Sequence, residues 1–286
     1  MTLYIHIGFG KTGTTAIQDF FFENRDTLLR SGLLYPENGL SGTGHHKLAI
    51  LEQKTPPVEV ERQCQILRHL VNANSTHSTL ISSENFCFMY PSYIQRIASL
   101  LQGCEVKIIF YIRSQPHLIE STYLEAQKVG RDHLGTVEKF FSVHHASFDF
   151  LTRIKPWAEA FGEENIQARL YDKRVFGTDI RTDFLRFIGM AEVIEVGKYQ
   201  TSNGSLISDF SNLANIFDDS HPRAGSRQLF INELLTLSQR FKAHASKPLI
   251  DDEFKARIIE IYKDSNAEFA KRFLGSEQGR LLCQQP

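Results

Sequence analysis

The feature that most constrains the fold is a short apolar segment that runs directly into a small, glycine-rich loop. Residues 3–7 read Leu-Tyr-Ile-His-Ile, and residues 8–15 follow as Gly-Phe-Gly-Lys-Thr-Gly-Thr-Thr. The pattern predicts a buried strand, a loop and then a helix over residues 16–30. Helix N-termini attract anions, a lysine adds a positive charge, and glycines let the backbone approach a ligand closely. The segment therefore predicts a loop that binds phosphate or sulfate; the alternative is a tight turn that exposes one lysine.

The loop does not have the spacing of a Walker A motif, which is a glycine, four residues and then Gly-Lys-Ser/Thr. Counting back from Gly10-Lys11-Thr12 places Ile5 where that motif needs a glycine. This departure weakens an assignment as an ordinary nucleoside triphosphatase. The candidate anion-binding residues of this shorter loop are Gly10, Lys11, Thr12, Gly13, Thr14 and Thr15.

Strand-like and helix-like segments alternate over much of the chain. The predicted strands are residues 3–7, 33–36, 79–82, 106–112 and 166–171. The predicted helices are residues 16–30, 45–51, 58–72, 93–101, 117–128, 137–143, 150–161, 179–188, 207–217, 227–244 and 251–273. Such alternation predicts a mainly parallel sheet with helices on both faces, which binds ligands at the carboxyl ends of its strands. Lys11, Glu84 and Arg113 each follow a predicted strand.

A second candidate anion site follows the apolar strand at residues 106–112. Arg113 comes directly after this strand, and Ser121 lies eight residues later on the next predicted helix. A guanidinium group matches the geometry of a phosphate, and a serine hydroxyl adds a neutral donor. The two residues can hold a second phosphate; alternatively, Arg113 pairs with a local carboxylate and Ser121 faces solvent.

Together the two candidate sites resemble the donor-binding motifs of sulfotransferases that use 3′-phosphoadenosine 5′-phosphosulfate (PAPS). In that family a Lys-x-Gly-Thr-Thr run leads into a helix that carries a glutamine, and Gln18 stands at this place. An arginine and a serine eight positions later bind the 3′-phosphate of the donor, as Arg113 and Ser121 are spaced here. One departure is Pro116, which lies three residues after the arginine, whereas many members have proline two residues after it. The resemblance covers about residues 3–190 and points to bacterial, carbohydrate-type members.

The resemblance implies an α/β fold of the P-loop-like, three-layer kind. Its central, mainly parallel sheet has about five strands and is flanked by helices, and the C-terminal part is helical. We expect a single domain over residues 1–286, with a core at 1–190 and a helical C-terminal extension at 205–286.

The implied activity is transfer of a sulfuryl group from PAPS to an acceptor hydroxyl, with release of 3′-phosphoadenosine 5′-phosphate (PAP). Lys11 is expected to stabilise charge on the sulfuryl group and the leaving oxygen, while residues 12–15 bind the 5′-phosphate. The general base is expected to be either a glutamate, Glu84, or one of two histidines, His45 and His46. A glutamate needs a raised pKa for this task, whereas the pKa of a histidine is already close to neutrality. We place Glu84 first.

Composition narrows the classes of partner. The 32 Lys and Arg residues against 33 Asp and Glu residues give a net charge of −1, which argues against a nucleic-acid partner held by a broad basic surface. The four cysteines form no close pair and the histidines are scattered, so no metal is expected. No signal peptide and no segment long enough to cross a membrane is recognised, so a cytoplasmic location is expected.

Two other classes of protein remain as alternatives. A P-loop kinase or nucleotide switch would need a magnesium-binding aspartate at a strand end, where this chain has Arg113 and Glu84. A non-catalytic nucleotide-binding protein would not need Lys11, Arg113 and Ser121 together. The acceptor is expected to be a sugar hydroxyl by resemblance, with a small natural product or lipid as the alternative. The oligomeric state is not indicated by the sequence.

Overall fold

Five parallel strands form the central sheet of the protein. We describe it from a computed structural model that places residues 2–51, 55–73, 77–130, 135–191, 193–197, 206–220, 226–241 and 247–283. The strands are β1 (Thr2–His6), β2 (Leu33–Leu34), β3 (Ser78–Ser82), β4 (Glu105–Ile112) and β5 (Ile166–Leu170). Their order in the sheet is β2-β3-β1-β4-β5, and every neighbouring pair is parallel. The predicted α/β class with about five parallel strands is therefore confirmed.

Thirteen α-helices are present among the described residues. In chain order they are α1 (Thr14–Glu23), α2 (Arg25–Arg30), α3 (Pro57–Ala73), α4 (Pro91–Leu100), α5 (Gln115–Val129), α6 (Val137–His144), α7 (Phe150–Phe161), α8 (Lys173–Phe176), α9 (Ile180–Phe187), α10 (Ser208–Ser220), α11 (Arg227–Phe241), α12 (Asp252–Phe273) and α13 (Ser276–Cys283). None of the helices described here has the length and apolar character needed to cross a membrane.

The chain divides into two compact units. The first comprises Met1–Arg113, Phe150–Tyr199 and Ser265–Pro286, and it contains the whole sheet. The second comprises Ser114–Asp149 and Gln200–Asp264 and is helical. The expected single domain, with its core at 1–190 and its extension at 205–286, stays a prediction.

Both faces of the sheet are covered by other elements. Alternate residues of β4 point to opposite faces, so its side chains contact both layers. On one face, Tyr111 packs with Phe184 of α9. On the other, the ring of Phe110 lies 5.7 Å from that of Phe9 and 6.3 Å from that of Phe269 on α12. Burial on both faces explains the continuous apolar run of β4, which is typical of parallel sheets.

A buried polar cluster ties one face of the sheet to α9. The carboxylate of Asp183 accepts a hydrogen bond from the Tyr111 hydroxyl at 2.6 Å and pairs with the Arg169 guanidinium at 2.7 Å. Asp183 is almost completely buried, and Arg169 and Tyr111 come from neighbouring strands. A buried carboxylate is stable only when it is paired and hydrogen-bonded, so this cluster fixes α9 against β4 and β5.

The second unit is built around Gln127 of α5. Its side-chain amide donates to Asn215 of α10 at 2.9 Å and accepts from Ser211 of the same helix at 2.7 Å. Next to these contacts, Leu206, Ala214, Ile231 and Leu234 form an apolar cluster. The hydrogen bonds of the Gln127 side chain fix the register of α5 against α10, because a buried amide group without hydrogen-bond partners is costly.

Two predicted helices differ from the structure, and two observed helices were not predicted. The predicted helix at 45–51 is a single 3₁₀ turn, His46–Leu48, because His45 is held by hydrogen bonds to Ser82 and Pro36. The predicted helix at 16–30 is divided at Asn24, whose side-chain amide donates to the Phe20 carbonyl at 2.8 Å. Helices α8, with four residues, and α13, with eight, were not predicted from the sequence pattern.

Candidate functional site

The glycine-rich loop joins the carboxyl end of β1 to the N-terminus of α1. Among the described residues, Lys11 is the sole non-glycine with a positive φ, at 64°, and Gly13 has a φ of 79°. Left-handed residues in a turn rotate successive N–H groups toward one side and form a concave anion-binding surface. Such a strained conformation of a non-glycine residue occurs often at binding sites.

Gly13 is the N-cap residue of α1, so no N-cap side chain accepts a hydrogen bond from the first N–H groups of this helix. The N–H groups in the first turn of a helix have no intrahelical partners, so an anion can accept hydrogen bonds from them. A Cβ atom at Gly13 would lie 3.1 Å from the Tyr171 ring and 3.3 Å from Ile180. The backbone conformation and these neighbours both require glycine at this position.

Three buried polar atoms belong to the loop and its base. The Thr12 hydroxyl donates to the Phe9 carbonyl at 2.5 Å, which fixes the turn internally. The Thr14 hydroxyl and Nε2 of His6 are buried and have no hydrogen-bond partner among the described residues. Gly8 lies between them, since a Cβ atom there would be 2.8 Å from Thr14 Oγ1 and 3.2 Å from His6 Nε2.

Glu84 and Arg113 lie after the two strands that flank β1. β1 pairs with β3 on one side and with β4 on the other, and the backbone N–H of Ser83 donates to the His6 carbonyl at 3.0 Å. Glu84 follows β3, and Arg113 follows β4. The topology thus brings the ends of three sequence-distant segments to the same edge of the sheet.

The Glu84 carboxylate accepts a hydrogen bond from one side chain and lies near a second. Gln18 Nε2 of α1 donates to Glu84 Oε2 at 3.1 Å, and His46 Nδ1 lies 3.8 Å from the same oxygen. His46 Nδ1 also lies 2.8 Å from the Ser83 hydroxyl. The Glu84 side chain is 38% exposed, so solvent or a substrate can reach it.

His45 has a different environment from His46. Its Nδ1 accepts from the Ser82 backbone N–H at 3.1 Å, so its Nε2 carries the proton and donates to the Pro36 carbonyl at 2.9 Å. Burial lowers the pKa of His45 to about 4. Both ring nitrogens are therefore used to hold the backbone, and neither is left to accept a proton from a substrate.

Arg113 and the loop residue Gly13 both lie near the ring of Tyr171. Its guanidinium carbon lies 5.8 Å from the centre of the Tyr171 ring, and the edge of this ring faces Gly13. An arginine near an aromatic face keeps its hydrogen-bond donors available at the ring edge. Ser121 lies on α5 in the second unit, and the expected binding of a second phosphate by Arg113 and Ser121 stays a prediction.

The hydrogen-bond donors and positive charges of the candidate site suit an anionic ligand. Loop N–H groups, hydroxyls and the cationic Lys11 and Arg113 all favour negative charge, and the unpartnered Thr14 hydroxyl adds one donor. Gly10, where a side chain would meet nothing within 4 Å, leaves one side of the loop open. In the described part of the chain, no group of three or more His, Cys, Asp or Glu residues could hold a metal ion.

Sequence reasoning missed His6, Ser82 and Tyr171 as members of the site. His6 could have been noticed, because a histidine at the end of an otherwise apolar strand will be buried beside the loop. Ser82 and Tyr171 carried weaker signals, since each is simply the last residue of a predicted strand. Their importance depends on which strands are neighbours, which the sequence does not state.

Comparison with known proteins gives distant similarities. No protein-family model matches the chain. An uncharacterized protein of Archaeoglobus fulgidus is 25% identical over 209 residues, which cover 72% of this chain and 56% of that protein, so the match spans little more than half of the relative. The crystal structure of a sulfotransferase from Alicyclobacillus acidocaldarius has a TM-score of 0.42 and 16% identity, with 81% of this chain and 96% of that chain covered.

Proposed function

We propose that the protein is a sulfotransferase that moves a sulfuryl group from PAPS to an acceptor hydroxyl. The observation that carries the proposal is the arrangement of three strand ends. The loop with Lys11 follows the central strand, and Glu84 and Arg113 follow the strands on either side of it. The proposed base, the proposed anion-binding loop and a second cation follow neighbouring strand ends, and this arrangement supports a role in sulfuryl transfer.

On the donor side, the chain supplies positive charge and N–H groups. PAPS brings the sulfuryl group on a mixed anhydride with a good leaving group. Lys11 stabilises negative charge on the sulfuryl and leaving oxygens, and the N–H groups and hydroxyls of residues 12–15 hold the 5′-phosphate. Arg113, with Ser121 from α5, is assigned to the 3′-phosphate.

On the acceptor side, Glu84 is the proposed general base. Gln18 holds its Oε2, and His46 lies near the same oxygen, so the carboxylate has a fixed orientation. A base that is positioned in advance removes the hydroxyl proton without paying for reorientation in the transition state. His45 is not retained as a base, since both of its ring nitrogens bond to the backbone.

The acceptor is proposed to be a hydroxyl of a carbohydrate or of a glycosylated molecule, and the protein is proposed to act in the cytoplasm. Both assignments follow from the sequence resemblance. A small natural product or a lipid is the alternative acceptor. Screening acceptors with radiolabelled donor would distinguish these classes by the product that takes up the label.

Ligand titration tests the proposed donor. Isothermal titration calorimetry would compare PAP with ATP plus magnesium, using the whole chain. We expect PAP to bind at least tenfold more tightly, because Lys11 and Arg113 are proposed to bind phosphates at the two ends of one nucleoside. Preference for ATP with magnesium would contradict the proposal and favour a kinase.

The first prediction concerns Lys11. Replacing it with alanine should lower turnover at least about 100-fold, because a positive charge next to the developing negative charge is lost. Lys155→Ala is the matched control, since Lys155 is 64% exposed on α7 and pairs across the helix surface with Glu159. Steady-state rates with saturating PAPS would measure both variants, and a Lys11→Ala enzyme with nearly normal turnover would eliminate the assignment.

A further inference from the structure

His6 is a buried histidine at the carboxyl end of β1. Its side chain is 0% exposed, and its Nδ1 lies 2.7 Å from the hydroxyl of Ser82, its partner on β3. The Phe184 ring meets the imidazole edge-on at 5.0 Å. These contacts fix the plane of the imidazole, and they account for Nδ1 but not for Nε2.

The hydrogen bonds around Ser82 determine which ring nitrogen of His6 carries the proton. Gln18 Nε2 must face the Glu84 carboxylate, which only accepts hydrogen bonds when ionised, and it also donates to Ser82 Oγ at 3.3 Å. Among the described residues, His6 Nδ1 is then the acceptor for the Ser82 hydroxyl proton. Burial lowers the pKa of His6 to about 3, so the ring is neutral at pH 7. The proton of the neutral ring therefore lies on Nε2.

The Nε2–H group of His6 is directed to the base of the loop. Gly8 is the first loop residue, and the position of a Cβ atom there lies 3.2 Å from His6 Nε2 and 2.8 Å from Thr14 Oγ1. Both polar atoms are buried and lack a hydrogen-bond partner among the described residues. Two buried donors without partners at one place are rare in folded proteins, and they mark a site for a hydrogen-bonding ligand.

We infer that His6 is a further ligand-binding residue of the loop, whose Nε2–H donates to an oxygen of the anionic group held by the N-terminus of α1. The inference rests on the proposed function and extends it, since the loop would then bind the phosphosulfate end of the donor through a neutral imidazole as well as through Lys11. The chain of contacts from His6 through Ser82 and Gln18 to Glu84 also joins the anion loop to the proposed base.

Two substitutions of His6 separate a role in binding from a role in folding. An asparagine side chain reaches the position of Nδ1 and keeps the contact with Ser82, but it lacks a donor at the position of Nε2. A glutamine side chain places a donor near the position of Nε2 and gives up the Nδ1 acceptor. A purely structural histidine would favour the asparagine variant, whereas a ligand-binding one favours glutamine.

We expect His6→Asn to weaken PAP binding by about tenfold to a hundredfold, as for a lost hydrogen bond to a charged group. His6→Gln should bind PAP within about threefold of the wild type. Calorimetric titration would measure the affinities, with circular dichroism to verify folding. Equal binding by His6→Asn and wild type, or tighter binding by His6→Asn than by His6→Gln, would overturn the inference.

A measurement on the unmodified protein covers the case in which neither variant folds. Nitrogen-15 NMR of labelled histidine reports the tautomer of each ring. His6 and His45 are the two buried histidines among the described residues, and the signals of His45 are identified by their loss in His45→Asn. We expect a protonated Nε2 in His6, and we expect its proton resonance to move when PAP is added. A protonated Nδ1, or an Nε2–H resonance that PAP leaves unchanged, would contradict the inference.

Failure of this inference can be told apart from failure of the proposed function. If wild type binds PAP and the His6 signals and variants behave as for a structural residue, His6 is not a ligand and the function stands. If wild type does not bind PAP, the proposed donor is wrong, and inorganic phosphate becomes the probe. A shift of the Nε2–H resonance with phosphate then supports His6 as an anion ligand, and no shift rejects it.

Discussion

Two consecutive histidines have different chemistry because their neighbours differ. His45 is buried and bonds to backbone atoms through both ring nitrogens, whereas His46 is partly exposed and lies beside Ser83 and Glu84. Residue type made both of them candidates for the general base. The surrounding atoms place His46, and not His45, beside the carboxylate of Glu84.

Exchange of the proposed base gives the second prediction. Glu84→Gln should lower turnover about 100-fold or more, because glutamine cannot take a proton from the acceptor. His46→Ala should cost less, about tenfold, since it removes a neighbour of the carboxylate and leaves Gln18 in place. Glu159→Gln on the surface of α7 is the control. Turnover of all three variants would be measured at several pH values. An active Glu84→Gln together with an inactive His46→Ala would assign the general base to His46 instead of Glu84.

At the scale of elements, the proposed anion-binding loop lies between strand β1 and helix α1. The strand, the loop and the start of the helix could be predicted from the sequence, because an apolar run, closely spaced glycines and a helical pattern are local signals. The 3₁₀ turn at 46–48 could not, since hydrogen bonds from His45 to β3 and to Pro36 override the local helical preference. The division of the next helix at Asn24 likewise depends on a single side-chain contact.

Alanine at Gly13 gives the third prediction. Gly13 and Gly103 both have φ near 80°, yet an added Cβ would meet Tyr171 and Ile180 at Gly13 and nothing within 4 Å at Gly103. Gly103→Ala should therefore cost only the backbone strain of about 1–2 kcal/mol. Gly13→Ala should lower the free energy of unfolding by about 1–3 kcal/mol more, because the new methyl group overpacks its neighbours. Equal losses in urea unfolding would show that the ring of Tyr171 moves aside.

At the scale of the whole molecule, the site depends on strand order. Glu84 and Arg113 are separated from the loop by many residues, and they reach its edge because β3 and β4 both pair with β1. The sequence predicted that each residue follows a strand, but periodicity carries no information on which strands are neighbours. For the same reason, the buried contact between Asp183, Tyr111 and Arg169 could not be predicted, although all three lie in predicted elements.

Acid stability of the folded chain gives the last prediction, through His45. Burial lowers its folded-state pKa to about 4, against 6.5 in an unfolded chain. The unfolded chain therefore binds a proton as the pH falls below about 6.5, while folded His45 stays neutral until about 4. Stability that His45 contributes at pH 7 is thus lost progressively between these two values on acidification.

His45→Asn removes the bond to Pro36 and should lower the free energy of unfolding at pH 7 by about 1–3 kcal/mol. The variant has no such histidine to protonate in its unfolded state, so the gap to wild type should narrow by about 1–2 kcal/mol between pH 7 and pH 5. His69→Asn, at an exposed position on α3, is the control and should change stability by less than about 0.5 kcal/mol. Urea unfolding at pH 7, 6 and 5 measures the three proteins. A gap that stays constant or widens on acidification would mean that folded His45 takes up a proton as readily as the unfolded chain, which its bonds to Ser82 and Pro36 argue against.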